Sequence, residues 1–372
     1  MKKVKLAVVG VGNMGRAHAR DVHDLPHTEL VAVCDVNEKF VQETAAFYNI
    51  PAYTNYQEML DNEELDGVII ATPHYDHPPM TIAAFERDLH VLVEKPIAVD
   101  VQNGRKMIDA FYKAQETNPK LAFGAIFMQR TYGHYRKIKD LIDSGELGKL
   151  IRTTWIITDW FRTQAYYNSG GWRATWAGEG GGVLLNQSPH NLDLYQWLVG
   201  MPDRVTGFAN LGKYHNIEVE DEVTAYFAYN NGHIGHFITS TAESPGTNRL
   251  EIVGENGKLI FEDGKLTFFR NRQSSFDFIE TATGGFDKVE NWQIDVPYTD
   301  HGQPGHKQII ANFANAILHD EPLIAPASEG LNSVMLANAI LLSSFNNMTV
   351  ELPIDGEVYI QKLQDLIDSS SK

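Results

Sequence analysis

The segment Gly10-Val11-Gly12-Asn13-Met14-Gly15 constrains this chain more than any other. It follows a short apolar run, Lys5–Val9, and opens an amphipathic stretch, Arg16–Leu25, that Pro26 stops. A strand, a glycine-rich turn and a helix in that order suit a dinucleotide. Gly10 permits the tight turn, Gly12 lets the backbone approach a pyrophosphate, and Gly15 lets helix and strand pack closely. Free N–H groups at the helix start, around Gly12, Asn13 and Met14, then face the phosphates with the positive end of the helix dipole. Asp35 lies 20 residues after Gly15, at the end of the next apolar run. A carboxylate there accepts hydrogen bonds from the adenosine ribose hydroxyls and repels a 2′-phosphate. No Arg directly follows it, so NAD is expected in preference to NADP.

The first third of the chain continues the alternation. Leu30–Asp35, Gly67–Ala71, His90–Glu94 and Leu121–Phe127 are nearly continuous apolar runs, as parallel strands covered on both faces require. Helices are expected at Glu38–Tyr48, Pro78–Arg87 and from an Asp100 cap to about Thr117, and Asn55 with Glu58 marks another helix start. Such βαβ units build a doubly wound sheet.

The pattern changes after about Met128. Helices are expected at Tyr135–Ser144 and Ser188–Leu198, with a long strand at Leu150–Trp160. From Arg204 to Val296 the chain alternates with period two. Val223, Ala225, Phe227 and Tyr229 share a face, and Asn230-Asn231-Gly232, Glu255-Asn256-Gly257 and Asp263-Gly264 supply turns. Helices resume at His306–Leu318, Ser328–Phe345 and Tyr359–Ile367. The expected fold class is α/β. A Rossmann domain with a doubly wound parallel sheet spans 1–128, and an α+β domain with a large, mostly antiparallel open sheet, polar on one face, spans 129–372.

A formal charge of −17 repels phosphate backbones and anionic headgroups, so nucleic acid and membrane are poor partners. As the lone cysteine, Cys34 can form neither an intrachain disulfide nor a thiol metal site, and its place in the apolar run Leu30–Cys34 suits a buried structural thiol. No run of about eighteen apolar residues can span a bilayer, and the start of the chain lacks a secretory pattern. The cytoplasm is the expected compartment, and order is expected everywhere but the Ser369-Ser370-Ser371 tail.

Two segments carry candidate chemistry. Ala71-Thr72-Pro73 and Glu94-Lys95-Pro96 end apolar runs at the sheet edge where such folds bind ligands, so Thr72, Pro73, Glu94 and Lys95 are candidate cofactor contacts. His77, after Pro73, is another, and its i, i+3 partner His74 makes no metal site without a third ligand. The Lys95 ammonium would favour an alkoxide developing as hydride leaves. Farther along, Gly180-Gly181-Gly182 precedes Asn186, Ser188, Pro189, His190 and Asp193. The glycines allow close backbone approach to a ligand, Ser188 suits an N-cap and Pro189 the first helical position. His190 then lies in the first turn, where the dipole favours a neutral imidazole able to take a hydroxyl proton. Trp155, Trp160, Trp172 and Trp176, interspersed with Arg162, Tyr166, Tyr167 and Arg173, suit either a sugar ring or sheet packing. Arg162 or Arg173 would admit a substrate carboxylate. His215, His301 and His306 are within possible reach of a site but receive no role.

With the glycine loop, Glu94-Lys95-Pro96 and Gly180-Gly181-Gly182 before His190-Asn191-Leu192-Asp193 in order, the chain resembles the Gfo/Idh/MocA oxidoreductase family along nearly its whole length. The resemblance implies a Rossmann domain followed by an open-sheet domain through which dimers or tetramers form, and activity on sugars, inositols and related polyols. It implies a catalytic lysine matching Lys95 and a histidine matching His190. Trp172-Arg173 resembles a family feature touching nicotinamide or substrate. Where the family commonly has aspartate, this chain has Asn186, which can bind a hydroxyl but carries no charge. A Lys95–His190 pair handling the proton is therefore expected, with Asn186, Arg162, Trp172 and Arg173 on the substrate. Two alternatives stay open: a glycosidase that retains NAD and acts through transient oxidation, and a non-catalytic NAD-binding regulator.

Overall fold

The computed structural model describes residues 2–300 and 302–370. Six parallel strands form the first sheet: β1 (Val4–Val9), β2 (Thr28–Cys34), β3 (Ala52–Tyr53), β4 (Gly67–Ile70), β5 (His90–Val93) and β6 (Phe123–Ala125). Their order is β3-β2-β1-β4-β5-β6, which reverses direction at β1. The loops leaving β1, β4 and β5 therefore open on one edge around a crevice. Val4, Leu6, Val8 and Ile69 point to one side of the sheet, and Ala7, Val9, Val68 and Ile70 to the other, all essentially buried.

The helix Asn13–Asp24 begins directly in the glycine loop, three residues before the expected start, because Gly12 serves as its N-cap. Helices Glu38–Tyr48 and Val101–Gln115 are capped by the side chains of Asn37 and Asp100. Asn55 likewise accepts the Glu58 N–H at 3.1 Å.

Nine strands form the second sheet: β7 (Leu150–Ile157), β8 (Arg204–Leu211), β9 (Glu220–Ala228), β10 (Ile234–Ser240), β11 (Asn248–Gly254), β12 (Gly257–Glu262), β13 (Lys265–Asn271), β14 (Asn291–Asp295) and β15 (Val350–Glu351). Only β7 and β10 pair in parallel. The expected strand to Trp160 stops at Ile157, because the antiparallel partner begins opposite it at Asn248. One face packs on the helices Pro189–Val199 and Ala327–Asn346. The other lacks a covering layer and is mixed rather than polar. Phe208 (62% exposed) and Tyr226 (39%) share it with the Arg152–Glu251 and Arg249–Glu262 ion pairs.

The C-terminal part also serves the first sheet. His306–His319 packs on Asn13–Asp24 and places Ile309, Ile310 and Phe313 in the core that contains Val8 and Ile69. The helix His306–His319 is thus tied directly to the glycine-loop helix. Cys34 is buried, which pushes its thiol up to about 12, the neighbouring Asp35 charge adding to the effect. Of the C-terminal serines, Ser369 ends a helix and Ser370 bonds Glu218 at 2.9 Å, while Ser371 lies outside the described residues, as does His301.

Candidate active site

The glycine loop is open where a dinucleotide requires it. A Cβ on Gly10 would meet the Ala71 carbonyl oxygen at 2.6 Å, and one on Gly15 would collide with Gly10. A Cβ on Gly12 would meet nothing within 4 Å. Gly12 caps its helix without a side-chain bond, and Asn13 and Met14 are exposed, so the helix N–H groups face open space. Asp35 stands beside this loop, its Oδ2 accepting the Val11 N–H at 2.7 Å and its Oδ1 the Asn37 N–H at 2.8 Å. These residues fit NAD: Gly12, Asn13 and Met14 toward the pyrophosphate, Asp35 toward the ribose.

Thr72 and Pro73 border the same opening, half-buried and exposed. His77 is wholly buried behind them, with Nδ1 2.8 Å from the Pro96 carbonyl and Nε2 2.9 Å from that of Thr72. Both ring nitrogens face carbonyl oxygens, the neutral ring donating to one of them, and His77 ties the β4 loop to the Lys95–Pro96 turn. Glu94 also turns inward. Its Oε1 lies 2.7 Å from His18 Nε2, and its Oε2 accepts the Lys95 N–H at 3.0 Å. Burial opposes this charge, but the His18 hydrogen bond and the nearby cations hold Glu94 down at about 2.

Lys95 crosses to the second domain, donating from Nζ to the Asn186 carbonyl at 2.9 Å. Burial lowers its pKa, and the Glu94 and Glu179 charges counteract that. His190 lies in the first turn of Pro189–Val199, as expected, 6% exposed and with Nδ1 lacking a protein partner. Its imidazole is neutral, pushed to about 3 mainly by burial and then by the Lys95 charge.

Two expectations need correction. The glycines at 180–182 bring the backbone close to protein, not to a ligand. A Cβ on Gly180 would strike Val99, one on Gly181 would come within 2.9 Å of Leu185, and one on Gly182 would strike the Glu220 carbonyl. Ser188 precedes the helix but makes no side-chain cap; its Oγ bonds Thr239 Oγ1 at 3.0 Å. Of the four tryptophans, Trp155 and Trp176 are core residues, Trp160 is half-buried, and Trp172 is 40% exposed at the site.

Arg173 lies 3.7 Å from Glu179, and the Trp172 ring lies 6.5 Å from that of His74. The Arg173 guanidinium sits 4.7 Å from the Trp172 ring and 4.6 Å from that of Tyr166, and donates to Tyr166 Oη at 2.8 Å. Arg162 lies 5.1 Å from the Tyr166 ring and donates from Nη1 to the Trp160 and Phe161 carbonyls. His215 bridges Asp221 and the Arg162 carbonyl, and the His306 ring lies tilted 5.5 Å from that of His18. His74 Nδ1 lies 3.1 Å from the Glu179 carbonyl.

Glu179 and Glu220 have no motif that announces them. Glu220 is wholly buried, accepts the Gly182 and Leu184 N–H groups at 2.9 and 3.0 Å, and is pushed up to about 7 by burial. Glu179 is 1% exposed and contacts Asn186 and Arg173.

His74 and His190 give a stability prediction. Burial first, and neighbouring cations after it, push each to about 3 from an ordinary 6.5. The unfolded chain then binds protons that the folded one refuses, so stability present at neutral pH is lost as pH falls below 6.5. Each ring should remove about 2 kcal/mol by about pH 5. Urea unfolding at the two pH values checks this; His74→Asn should flatten the difference, and an unchanged slope would contradict it.

The family models agree with this geometry. One for an oxidoreductase family with an NAD-binding Rossmann fold matches residues 4–118, and one for the GFO/IDH/MocA C-terminal domain matches 135–260. The chain belongs to the Gfo/Idh/MocA oxidoreductases. Its cofactor is NAD. Relatives include the scyllo-inositol 2-dehydrogenase (NAD(+)) of Bacillus subtilis, 28% identical over 289 residues, covering 74% of this chain and 80% of that enzyme. The levoglucosan dehydrogenase of Pseudarthrobacter phenanthrenivorans is 24% identical over 95% of this chain and 99% of that enzyme. Among solved structures, the WlbA dehydrogenase of Bordetella pertussis in complex with NADH and UDP-GlcNAcA superposes with a TM-score of 0.79 at 25% identity, covering 95% of this chain and all of that one.

In this Gfo/Idh/MocA oxidoreductase Asp35 is the expected discriminator between NAD and NADP. Asp35→Ser should raise kcat/KM with NADP relative to NAD by about tenfold or more, by removing repulsion of the 2′-phosphate. An unchanged ratio would show that discrimination lies elsewhere.

Proposed function

We propose that this oxidoreductase interconverts a secondary hydroxyl of a sugar, cyclitol or related polyol with the corresponding ketone. The observation that carries the reading is a neutral, buried His190 with an unpartnered Nδ1, close enough to Lys95 to feel its charge. NAD, when bound, takes or returns the hydride. The chain's own residues manage the proton and the charge. In oxidation, Lys95 Nζ turns from the Asn186 carbonyl to the substrate oxygen and stabilises negative charge building there. His190 accepts the hydroxyl proton and returns it in the reverse direction. The buried setting strengthens both interactions relative to water. Trp172 and Tyr166 offer faces to ring C–H groups, and Asn186 and Arg173 offer polar contacts to ring hydroxyls.

Turnover of inositol and levoglucosan by the named relatives supports this substrate class. We propose further that the protein is cytoplasmic and works as a homodimer or homotetramer, the uncovered face of the second sheet meeting its copy. Among the described residues no helix is long and apolar enough to cross a membrane. Sedimentation of the purified protein tests the assembly; a monomer at micromolar concentration would contradict it.

The test of function is NADH formation across cyclitols, aldoses, sugar acids and anhydrosugars, with NAD and NADP in parallel. Turnover of one polyol group with NAD supports the proposal. Glycoside cleavage without net NADH would instead identify an NAD-retaining glycosidase. Tight NAD binding with no turnover at all would identify a regulator.

A further inference from the structure

Glu179 is a buried carboxylate with no part in the chemistry above. It precedes Gly180 and is 1% exposed. Its Oε2 accepts the Ala174 N–H at 2.6 Å, its Oε1 accepts Asn186 Nδ2, and Arg173 Nη1 lies 3.7 Å away. Each of these neighbours is a donor or a cation. A proton on either carboxyl oxygen would set donor against donor, so the group is held ionised although burial raises its pKa.

An ionised carboxylate can only accept, whereas a primary amide has one donor end and one acceptor end. Glu179 therefore fixes which way Asn186 faces. The amide NH2 is drawn to the carboxylate, leaving Oδ1 on the other side, 3.4 Å from the Tyr166 hydroxyl. The backbone carbonyl of the same Asn186 receives Lys95 Nζ at 2.9 Å. The charges of Glu94, Glu179 and Arg173 act on Lys95, and the Lys95 charge in turn lowers His74, His190 and His306. Glu94 and Glu179 are the anions in that set, and Glu94 is already committed to His18 and the Lys95 amide.

We propose that Glu179 is a positioning residue for the reaction, locking Asn186 with its side-chain oxygen toward the substrate hydroxyl and placing a compensating negative charge beside the Lys95 ammonium. The inference rests on the polyol oxidoreductase reading. An acceptor fixed at Asn186 selects a substrate hydroxyl at that point and disfavours a carboxylate, so the site is tuned to neutral polyols there.

Glu179→Gln keeps the side-chain size and a carbonyl for the Ala174 N–H but removes the charge. Asn186→Asp, added to it, returns a carboxylate within one hydrogen bond of the original. The first readout needs no substrate. Only the free amine reacts with acetic anhydride, so the pH midpoint for Lys95 acetylation in the NAD-bound protein, read by peptide mass spectrometry, reports the ammonium. E179Q should lower that midpoint by roughly one unit, and E179Q/N186D should restore it. The second readout is kcat/KM with the best polyol, expected to fall about tenfold or more in E179Q. NAD affinity should stay constant, as a check on folding. An E179Q midpoint equal to wild type, or a double variant no closer to wild type than E179Q, overturns the proposal. Should E179Q fail to bind NAD, the double variant decides alone: a wild-type midpoint supports the charge role, and a lowered one refutes it. If the wild-type protein turns over no polyol, the functional reading fails, yet the Lys95 midpoints still decide the role of Glu179.

Discussion

Lys95→Met should lower kcat about a thousand-fold, equivalent to about 4 kcal/mol of transition-state stabilisation. Methionine nearly preserves the length of the side chain but brings no charge and no donor. The Nζ bond to the Asn186 carbonyl disappears, and so does the ammonium proposed to meet a developing alkoxide. Affinity for NAD should change by no more than about twofold, because the glycine loop and Asp35 are the proposed pyrophosphate and ribose contacts. A second signature separates this from a general loss of structure. The Lys95 charge helps hold His190 at about 3, so removing it raises the histidine. The acid limb of residual activity should therefore move to higher pH in the variant. A kcat within about tenfold of wild type, or an unmoved acid limb, would remove Lys95 from the centre of the chemistry.

Arg130→Met should destabilise the fold by about 3–5 kcal/mol. Arg130 and Asp193 are both 1% exposed and make a bidentate pair, Nε to Oδ2 at 2.8 Å and Nη2 to Oδ1 at 2.6 Å. Arg130 also reaches Glu329 on the long helix Ala327–Asn346. Without the guanidinium, Asp193 keeps only the Gln196 side chain at 3.3 Å. A buried carboxylate so left costs more than a missing pair would. Arg130→Met with Asp193→Leu should thus recover most of the loss. Asp193 shares the helix that carries His190, so the single variant should also reduce turnover more than its unfolded fraction explains. Denaturant unfolding of the three proteins settles the stabilities. A single-variant loss below about 1 kcal/mol would mean that the pair is solvated or replaceable.

Much of this was legible in the sequence because the chemistry is local. The glycine loop, Asp35 and Lys95 each sit at the end of a short apolar run, and parallel sheets carry all such ends to one edge. His190 was legible through Pro189, which fixes the helix start. What escaped was set by distant partners. Glu179 gains meaning only because Ala174, Arg173 and Asn186 fold around it. The glycines at 180–182 suggested a ligand, but what crowds them is Val99, Leu185 and Glu220. The neutrality of His190 was expected from the helix dipole, whereas burial and Lys95 dominate. The helix Ser275–Thr281 left no periodic trace because it buries none of its residues, and its capping residue Ser274 is a weak signal alone.

The most direct measurement of the central claim follows one hydrogen. The protein is incubated with NAD and a polyol deuterated at its carbinol carbon, and the NADH formed is examined by mass spectrometry. One deuterium on each NADH, with formation lost in Lys95→Met and His190→Ala while both still bind NAD, is the expected result. NADH without the label, or no NADH from any polyol despite tight NAD binding, would contradict it.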